Sequence, residues 1–356
     1  MSSPDGVTWT QRNSGTANGF GAVVYAGQQF VAVGGTYVGG TVVGPIATST
    51  DGVTWTLHDS GTTNVGFFSI AYGNGLFVAV GGGAVDPGQG IIISSPDGIN
   101  WVTRLSSATD SNLPPSFSAV AYGNGRFVAL LGNYEATSSD GINWKGAPGG
   151  VFTSPVGAVP NPALTFGNGL FVATGGGYTN SNGSMETVAT IYSSPDGINW
   201  TARTNFVGGG GDFFSSVTYG GGQFAAAGPT VAYGAVCTSS DGTNWISRTP
   251  RIGVATIGFG DGRFVGFAGT TVVRSGVIGK LGASLSPGTG SIQGTISGVT
   301  GQNYAIKAST NLAAWDVLTN VTINTNGLAQ FSDPSTGVFR QRFYEALLSQ
   351  DSGTGP

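Results

Sequence analysis

Short apolar runs bounded by glycine-rich turns recur along most of the chain, and no window combines helical spacing of apolar residues with helix caps. Residues 69–101 show one unit of the pattern. An apolar run ends at Tyr72, and Gly73-Asn74-Gly75 forms a tight turn. A second run, Phe77-Val78-Ala79-Val80, leads into a glycine-rich connection over 81–90. A third run, Ile91-Ile92-Ile93-Ser94, precedes the turn Pro96-Asp97-Gly98, and a fourth starts at Trp101. Asn and Gly accept the positive φ that two-residue hairpins demand, so the spacing predicts four antiparallel strands per unit.

Two motifs mark the units. The phrase Ser-x-Asp-Gly-x-Thr/Asn-Trp occurs at Ser3–Trp9, Ser49–Trp55, Ser95–Trp101, Ser138–Trp144, Ser194–Trp200 and Ser239–Trp245. An aromatic-turn-Phe motif alternates with it, at Tyr25–Phe30, Tyr72–Phe77, Tyr122–Phe127, Phe166–Phe171, Tyr219–Phe224 and Phe259–Phe264. Successive phrase aspartates stand 43–56 residues apart, close to the repeat length of β-propeller blades. The expected fold class is therefore all-β, with residues 1–276 forming a six-bladed β-propeller. The last unit stops after Ser275 without a phrase, while the chain opens on an unattached one. The N-terminal strand is thus expected to close the last blade, which would leave no open sheet edge.

A group carried by every unit is expected to serve folding. The phrase carboxylates Asp5, Asp51, Asp97, Asp140, Asp196 and Asp241 can accept backbone N–H bonds of their own turns. Trp9, Trp55, Trp101, Trp144, Trp200 and Trp245 fill space between blades. Calcium would need more oxygen ligands than the phrase supplies. Arg12, His58, Arg104, Arg203 and Arg248 all stand three residues after a phrase Trp, which marks them as packing or ion-pair devices of the fourth strand.

Both short turns of a unit fall on one end of an up-and-down blade, so the variable connections gather at the other, where binding groups concentrate. The candidate ligand-binding residues there are Tyr37, Asp86, Tyr134, Glu135, Tyr178, Glu186 and Tyr233. Tyrosine offers a rigid ring to stack on a sugar and a hydroxyl to bond it. No catalytic residue is assigned. A glycosidase would need two carboxylates about 5–10 Å apart, and Glu135, Glu186, Asp110 and Asp212 form the pool without any spacing that selects a pair. No metal site and no cofactor is expected: His58 is the only histidine and Cys237 the only cysteine, which excludes nitrogen–sulfur ligation of zinc or copper.

Composition narrows the partners. Gly numbers 64 of 356 residues, only 8% are charged, and aromatics reach 11%, so the chain is neither a helical protein nor a disordered one. The net charge of −4, with cations spread singly, argues against nucleic acid. No apolar stretch approaches 18 residues, so no membrane insertion is expected. Low Lys and Glu with abundant Thr, Ser, Asn and Gly suggests an extracellular or cell-surface protein whose export signal is not in this chain.

After Ser275 the repeats end. Alternation at Tyr304, Ile306 and Ala308 and at Val321 and Ile323 predicts half-buried antiparallel strands, and residues 277–349 are expected to form a small β-sandwich, with 350–356 a disordered tail. The string Tyr304-x-Ile306-x-Ala308-Ser309-Thr310-Asn311-Leu312, followed by Trp315 and Arg342-Phe343-Tyr344, resembles the module that ends many exported bacterial multidomain proteins.

The repeated phrase resembles the Asp-box (BNR) hairpin of sialidases, sortilin-type receptors, xyloglucanase-type glycosidases and photosystem assembly factors. Thr8 and Thr54 match its threonine, and Asn100, Asn143, Asn199 and Asn244 replace it. The resemblance implies a propeller with the boxes away from the site, and it covers enzymes and binders alike. The expected function is a non-enzymatic propeller binding a glycan or surface protein. Alternatives are a carbohydrate-active enzyme (glycoside hydrolase or polysaccharide lyase) using carboxylates on the same face, and a structural component of a surface assembly.

Overall fold

The structure is a computed structural model. It describes residues 1–3, 6, 8–83, 90–106, 116–131, 134–148, 162–181, 184–208, 214–228, 236–248, 253–260, 262–269, 271–275, 280–285, 292–297, 303–310, 315–326, 328–334 and 342–348. The protein is all-β, and no α-helix occurs among these residues. No helix among them is long and apolar enough to cross a membrane.

Five four-stranded antiparallel sheets follow one another. The first holds β1 (Phe20–Ala26), β2 (Gln29–Gly34), β5 (Ile46–Ser49) and β6 (Thr56–His58), with a small hairpin of β3 (Thr36–Val38) and β4 (Thr41–Val43) between β2 and β5. The second holds β7 (Gly66–Gly73), β8 (Leu76–Gly82), β9 (Ile91–Ser95) and β10 (Val102–Ser106). The third holds β11 (Ala119–Gly123), β12 (Arg126–Leu131), β13 (Tyr134–Ser138) and β14 (Lys145–Pro148). The fourth holds β15 (Leu164–Gly167), β16 (Leu170–Ser181), β17 (Ser184–Ser194) and β18 (Thr201–Gly208). The fifth holds β19 (Ser216–Gly220), β20 (Gln223–Ala227), β21 (Val236–Ser239) and β22 (Ile246–Arg248). A sixth has three strands, β23 (Thr256–Gly260), β24 (Arg263–Ala268) and β25 (Thr271–Arg274).

The turn motif works as its chemistry dictates. Tyr72 lies opposite Phe77 and Gly73 opposite Leu76, which leaves Asn74 and Gly75 as a two-residue turn with φ of 48° and 76°. Tyr72 and Phe77 then meet with ring centroids 4.7 Å apart. Second strands, apolar on both faces, form the deepest layer: Phe77 is 1% exposed and Val78, Ala79 and Val80 are fully buried. The apolar clusters lie at the seams between successive sheets, each with one phrase tryptophan at its margin: Trp101, Trp144, Trp200 and Trp245. Glycine after the motif aromatic makes the seam possible. A Cβ on Gly73 would overlap the Tyr122 ring, one on Gly123 the Phe166 ring, and one on Gly167 the Tyr219 ring.

Each phrase closes on itself. Asp97 Oδ1 accepts the N–H groups of Ile99 and Asn100 and the Ser95 hydroxyl, and Oδ2 accepts the Asn100 amide, all at 2.8–2.9 Å. Gly98 supplies φ of 72°, and the Trp101 indole donates back to its carbonyl at 3.0 Å. Asp140, Asp196 and Asp241 repeat the set. Asp5 lies outside the described residues. Backbone N–H groups of Thr54 and Val53 hold Asp51 down at about 2 from 3.8, and their counterparts hold Asp97 and Asp140 lower still. A depressed folded pKa contributes stability above the unfolded value, here about 4, that is lost as pH falls through the folded one. Melting temperature is therefore expected to fall between pH 5 and about 2, and an Asp51→Asn variant should show a shallower fall. An equal fall in both would remove this site from the account.

Three sequence expectations need correcting. Among the described residues the N-terminal strand is not found in the sixth sheet: β25 pairs only with β24, and Ser2 and Thr10, on either side of the first phrase, bridge each other. The connection 34–45 holds the β3–β4 hairpin, turned by Gly39 and Gly40 at φ of 57° and 90°. The connection 175–187 is largely strand: β16 and β17 pair without interruption to Ser181–Ser184, and β18 follows to Gly208. Glycine, threonine and asparagine give no apolar pattern there, and the backbone is satisfied by sheet pairing instead.

By contacts the chain divides into two compact units: Met1–Gly258 with Val265–Val273, and Phe259–Phe264 with Arg274–Pro356. In the second, β26 (Lys280–Leu285), β27 (Ile292–Ser297) and β30 (Leu328–Asp333) form one sheet, and β28 (Asn303–Ser309), β29 (Asp316–Thr322) and β31 (Phe343–Leu348) another. Both contribute to a single apolar cluster around Ile296, Tyr304, Ile306, Ile323 and Phe331.

Candidate functional site

Of the seven proposed ligand-binding residues, Tyr37, Tyr134 and Glu135 have described side chains. Tyr37 stands on β3, 65% exposed. Asp86 and Tyr233 lie outside the described residues. Tyr178 and Glu186 lie on the β16–β17 arm with backbones opposite Thr187 and Thr179, and their side chains are not among those described. Tyr134 is half-buried, its ring edge-on to Phe117 with centroids 6.0 Å apart in the seam between the second and third sheets. Tyr134 thus packs within that seam.

Glu135 is different. Strand alternation turns it away from Tyr134 towards the fourth sheet, where its Oε2 accepts the Trp200 indole N–H at 3.3 Å. That indole is shared with the Gly197 carbonyl at 3.2 Å. Only 5% of Glu135 is exposed. Burial pushes its carboxyl up to about 7 against the Trp200 hydrogen bond, with the Asp196 carboxylate adding to the rise and Arg126 opposing it.

Aligning units on the phrase serine shows what Glu135 replaces. Three residues before Ser49, Ser95 and Ser194 stand Ile46, Ile92 and Ile191, all fully buried. A carboxyl thus occupies a core position that the repeat gives to isoleucine. Such a group pays a desolvation cost, and buried titratable groups of this kind concentrate at functional sites. The signal was present in the sequence as a departure from the repeat. The part played by Trp200 was not, because every unit carries that tryptophan.

A carboxyl that titrates near neutrality can hold a proton for transfer. The ionised Asp196 is committed to its own turn, with Ile198, Asn199 and Ser194 all donating to it. It acts on Glu135 as an electrostatic neighbour. Glu186 lies on β17 with its side chain not among those described, and Asp86, Asp110 and Asp212 lie outside the described residues.

The repeated cations are strand ties. Arg12 bonds Ser2 and Arg104 bonds Ser94, each at 2.8 Å, Arg203 bonds Ser193 at 2.6 Å, and Arg248 bonds Thr238 at 3.1 Å. His58 sits 2.8 Å from Thr48 in the same place. No group of three or more His, Cys, Asp or Glu suited to a metal ion occurs among the described residues.

No protein-family model matches the chain, and no curated protein sequence matches it. Solved structures are similar to it. The native arabinanase of Bacillus subtilis aligns over 64% of this chain and 91% of its own at 11% identity and a TM-score of 0.36. An exo-1,5-α-L-arabinanase from a bovine ruminal metagenomic library aligns over 71% and 97% at 10% identity and 0.39. An α-L-arabinofuranosidase of Fusarium graminearum aligns over 78% and 87% at 12% identity and 0.42. Glycan-cleaving enzymes thus recur among the similar structures, a finding that runs against the expectation of a non-enzymatic binder. At these TM-scores the likeness says nothing of substrate or catalytic residues, which have to be argued from this chain's own groups.

Proposed function

We propose that the chain is a carbohydrate-active enzyme, a glycoside hydrolase, in which Glu135 is the general acid. The six sheets are read as blades of an Asp-box β-propeller, residues 277–349 as a small β-sandwich module, and 350–356 as a tail. The observation that carries the enzyme reading is the carboxyl of Glu135 standing where the repeat calls for isoleucine, held protonated up to about pH 7. A glycosidase acid must keep its proton at working pH while a second carboxylate stays ionised. Glu186, Asp110 and Asp212 are the proposed pool for that second group. The ligand would be a polysaccharide, and the protein extracellular or at the cell surface.

The low exposure of Glu135 supports a second reading, in which the protein is a structural component and the carboxyl locks a seam through Trp200. One set of variants separates the two. Reducing-end release from a polysaccharide panel is measured for the wild type, Glu135→Gln and Glu135→Ile. The enzyme reading expects both variants to lose at least about 100-fold in rate, and wild-type activity to decline above about pH 7 as the acid loses its proton. Hydrolysis unchanged in both variants would sink it.

Stability supplies an independent readout. A folded pKa raised from 4.5 to about 7 contributes stability that is full below about pH 4.5 and is lost as pH rises through about 7. The wild type is expected to lose up to about 3 kcal/mol across that window. Denaturant midpoints of Glu135→Gln, neutral throughout, should show no such slope. An identical slope in the variant would assign the titration elsewhere.

A further inference from the structure

One hairpin turn recurs with the same dipeptide in three units: Asn74-Gly75, Asn124-Gly125 and Asn168-Gly169. The asparagines hold φ of 48°, 47° and 45° and the glycines 76°, 72° and 76°, so one backbone geometry is used three times. Both residues of each turn are exposed. Among the described residues none of the three glycine N–H groups bonds a backbone carbonyl. Asparagine before glycine is chemically labile, because the glycine nitrogen has no Cβ beside it as a shield and can attack the side-chain amide.

The three turns differ in what holds that amide. Asn124 Nδ2 donates to the Gly169 carbonyl at 3.0 Å and to the Pro195 carbonyl at 2.8 Å. Both of its amide hydrogens are thus taken by the next unit, one by the turn and one by the phrase. Asn168 Nδ2 donates to the Ser240 carbonyl of the following phrase at 3.3 Å. The matching acceptors for Asn74 are the carbonyls of Gly125 and Ser139, and among the described residues no hydrogen bond joins its side chain to either.

Deamidation requires the amide to move. The Gly75 nitrogen, having lost its proton to solvent base, bonds to the side-chain carbonyl carbon of Asn74, and the side-chain nitrogen leaves as ammonia. Water then opens the resulting succinimide at either carbonyl, which gives aspartate or isoaspartate. To bring its carbonyl carbon to the glycine nitrogen, the side chain must swing in towards its own backbone. At Asn124 that swing breaks two hydrogen bonds to the next sheet, whereas at Asn74 it breaks none to the matching carbonyls.

We propose that Asn74 is a spontaneous deamidation site of the folded protein, and that Asn124 and Asn168 are shielded from the same reaction by their bonds to the next unit. The modification needs no enzyme and consumes only water. Its structural cost also differs between the sites. An aspartate at 124 sets carboxylate oxygens against the Gly169 and Pro195 carbonyls, acceptor against acceptor, on the seam that holds Glu135 and Trp200. An aspartate at 74 creates no such opposition.

The full chain is kept for weeks in mildly alkaline buffer, either folded or in denaturant. Amide-to-acid conversion at each asparagine is followed by peptide mapping with mass spectrometry, and isoaspartate is confirmed by enzymatic methylation. In denaturant the three sites are expected to convert at similar rates, since each lies in the same Gly-Asn-Gly sequence. In the folded chain Asn74 is expected to convert at least about tenfold faster than Asn124, the factor that two net hydrogen bonds supply, with Asn168 between them. Equal rates at Asn74 and Asn124 in the folded chain, or conversion of Asn74 only in denaturant, overturn the proposal. A second arm does not depend on the reaction: Asn74→Asp is expected to melt like the wild type and Asn124→Asp at a lower temperature. Equal melting of the two variants also overturns it, because the bonds of Asn124 would then restrain nothing.

Discussion

Replacing Asp333 by alanine is expected to unfold the C-terminal sheets while the repeat sheets stay folded. Asp333 is fully buried at the end of β30, and its Oδ2 accepts Arg342 Nε and the Tyr344 hydroxyl, both at 2.9 Å. Burial, together with the neighbouring Asp333 carboxylate, pushes the Tyr344 hydroxyl up to about 12. Truncation removes the carboxylate with which Arg342 pairs. Breaking a buried pair from one side costs about 3–5 kcal/mol, as much as a core of this size contributes to a small domain's stability. Limited proteolysis read by mass spectrometry should show cuts spreading through 280–348 in the variant and not through 20–248. Asp333→Asn keeps an acceptor for the tyrosine and should fall between. A variant that resists protease like the wild type would mean that this bond network is dispensable.

Gly123→Ala is expected to cost about 3 kcal/mol, at the upper end for a single added methyl in a packed core. The new Cβ would overlap the Phe166 ring, and both sides of that seam are built from rigid strands. Chemical denaturation of Gly123→Ala, Phe166→Ala and the double variant should give strong coupling, because removing the ring makes room for the methyl. Ala26 holds the equivalent place in the first sheet, so Ala26→Gly should cost no more than about 1 kcal/mol, the loss intrinsic to glycine in a strand. Additive costs in the double variant would show that the ring is not what the glycine makes room for.

The parts of the fold legible in the sequence are those written in adjacent residues. The hairpin at Asn74-Gly75 and the closed bonding of Asp97 are settled within a few positions, so composition and spacing suffice. The β16–β17 arm was not legible because Gly175, Gly176 and Gly177 signal a loop, and their pairing with Thr190, Ala189 and Val188 of β17 decides otherwise. The place of the N-terminal phrase is likewise decided by Val265 and Phe267, more than 250 residues away. Glu135 was named among many polar groups on loops. Only its burial against Trp200 distinguishes it from Tyr134 beside it, and burial depends on which sheet comes next. Tyr37 and Tyr134 were named for residue type alone, and their surroundings differ: Tyr37 is exposed on β3 and Tyr134 packs in a seam.

The self-contained bonding of the phrase bears on how such a gene changes length. Asp97, Asp140, Asp196 and Asp241 draw their hydrogen bonds from within their own phrases, and successive seams reuse one glycine and one ring. Unequal crossing-over between equivalent codons removes or adds a whole unit and leaves behind a junction of unchanged chemistry. The exception is the first seam, where Ala26 stands in place of glycine. A unit moved to that junction would bring its aromatic ring against a methyl group, so insertions are expected to be tolerated between later units before they are tolerated there.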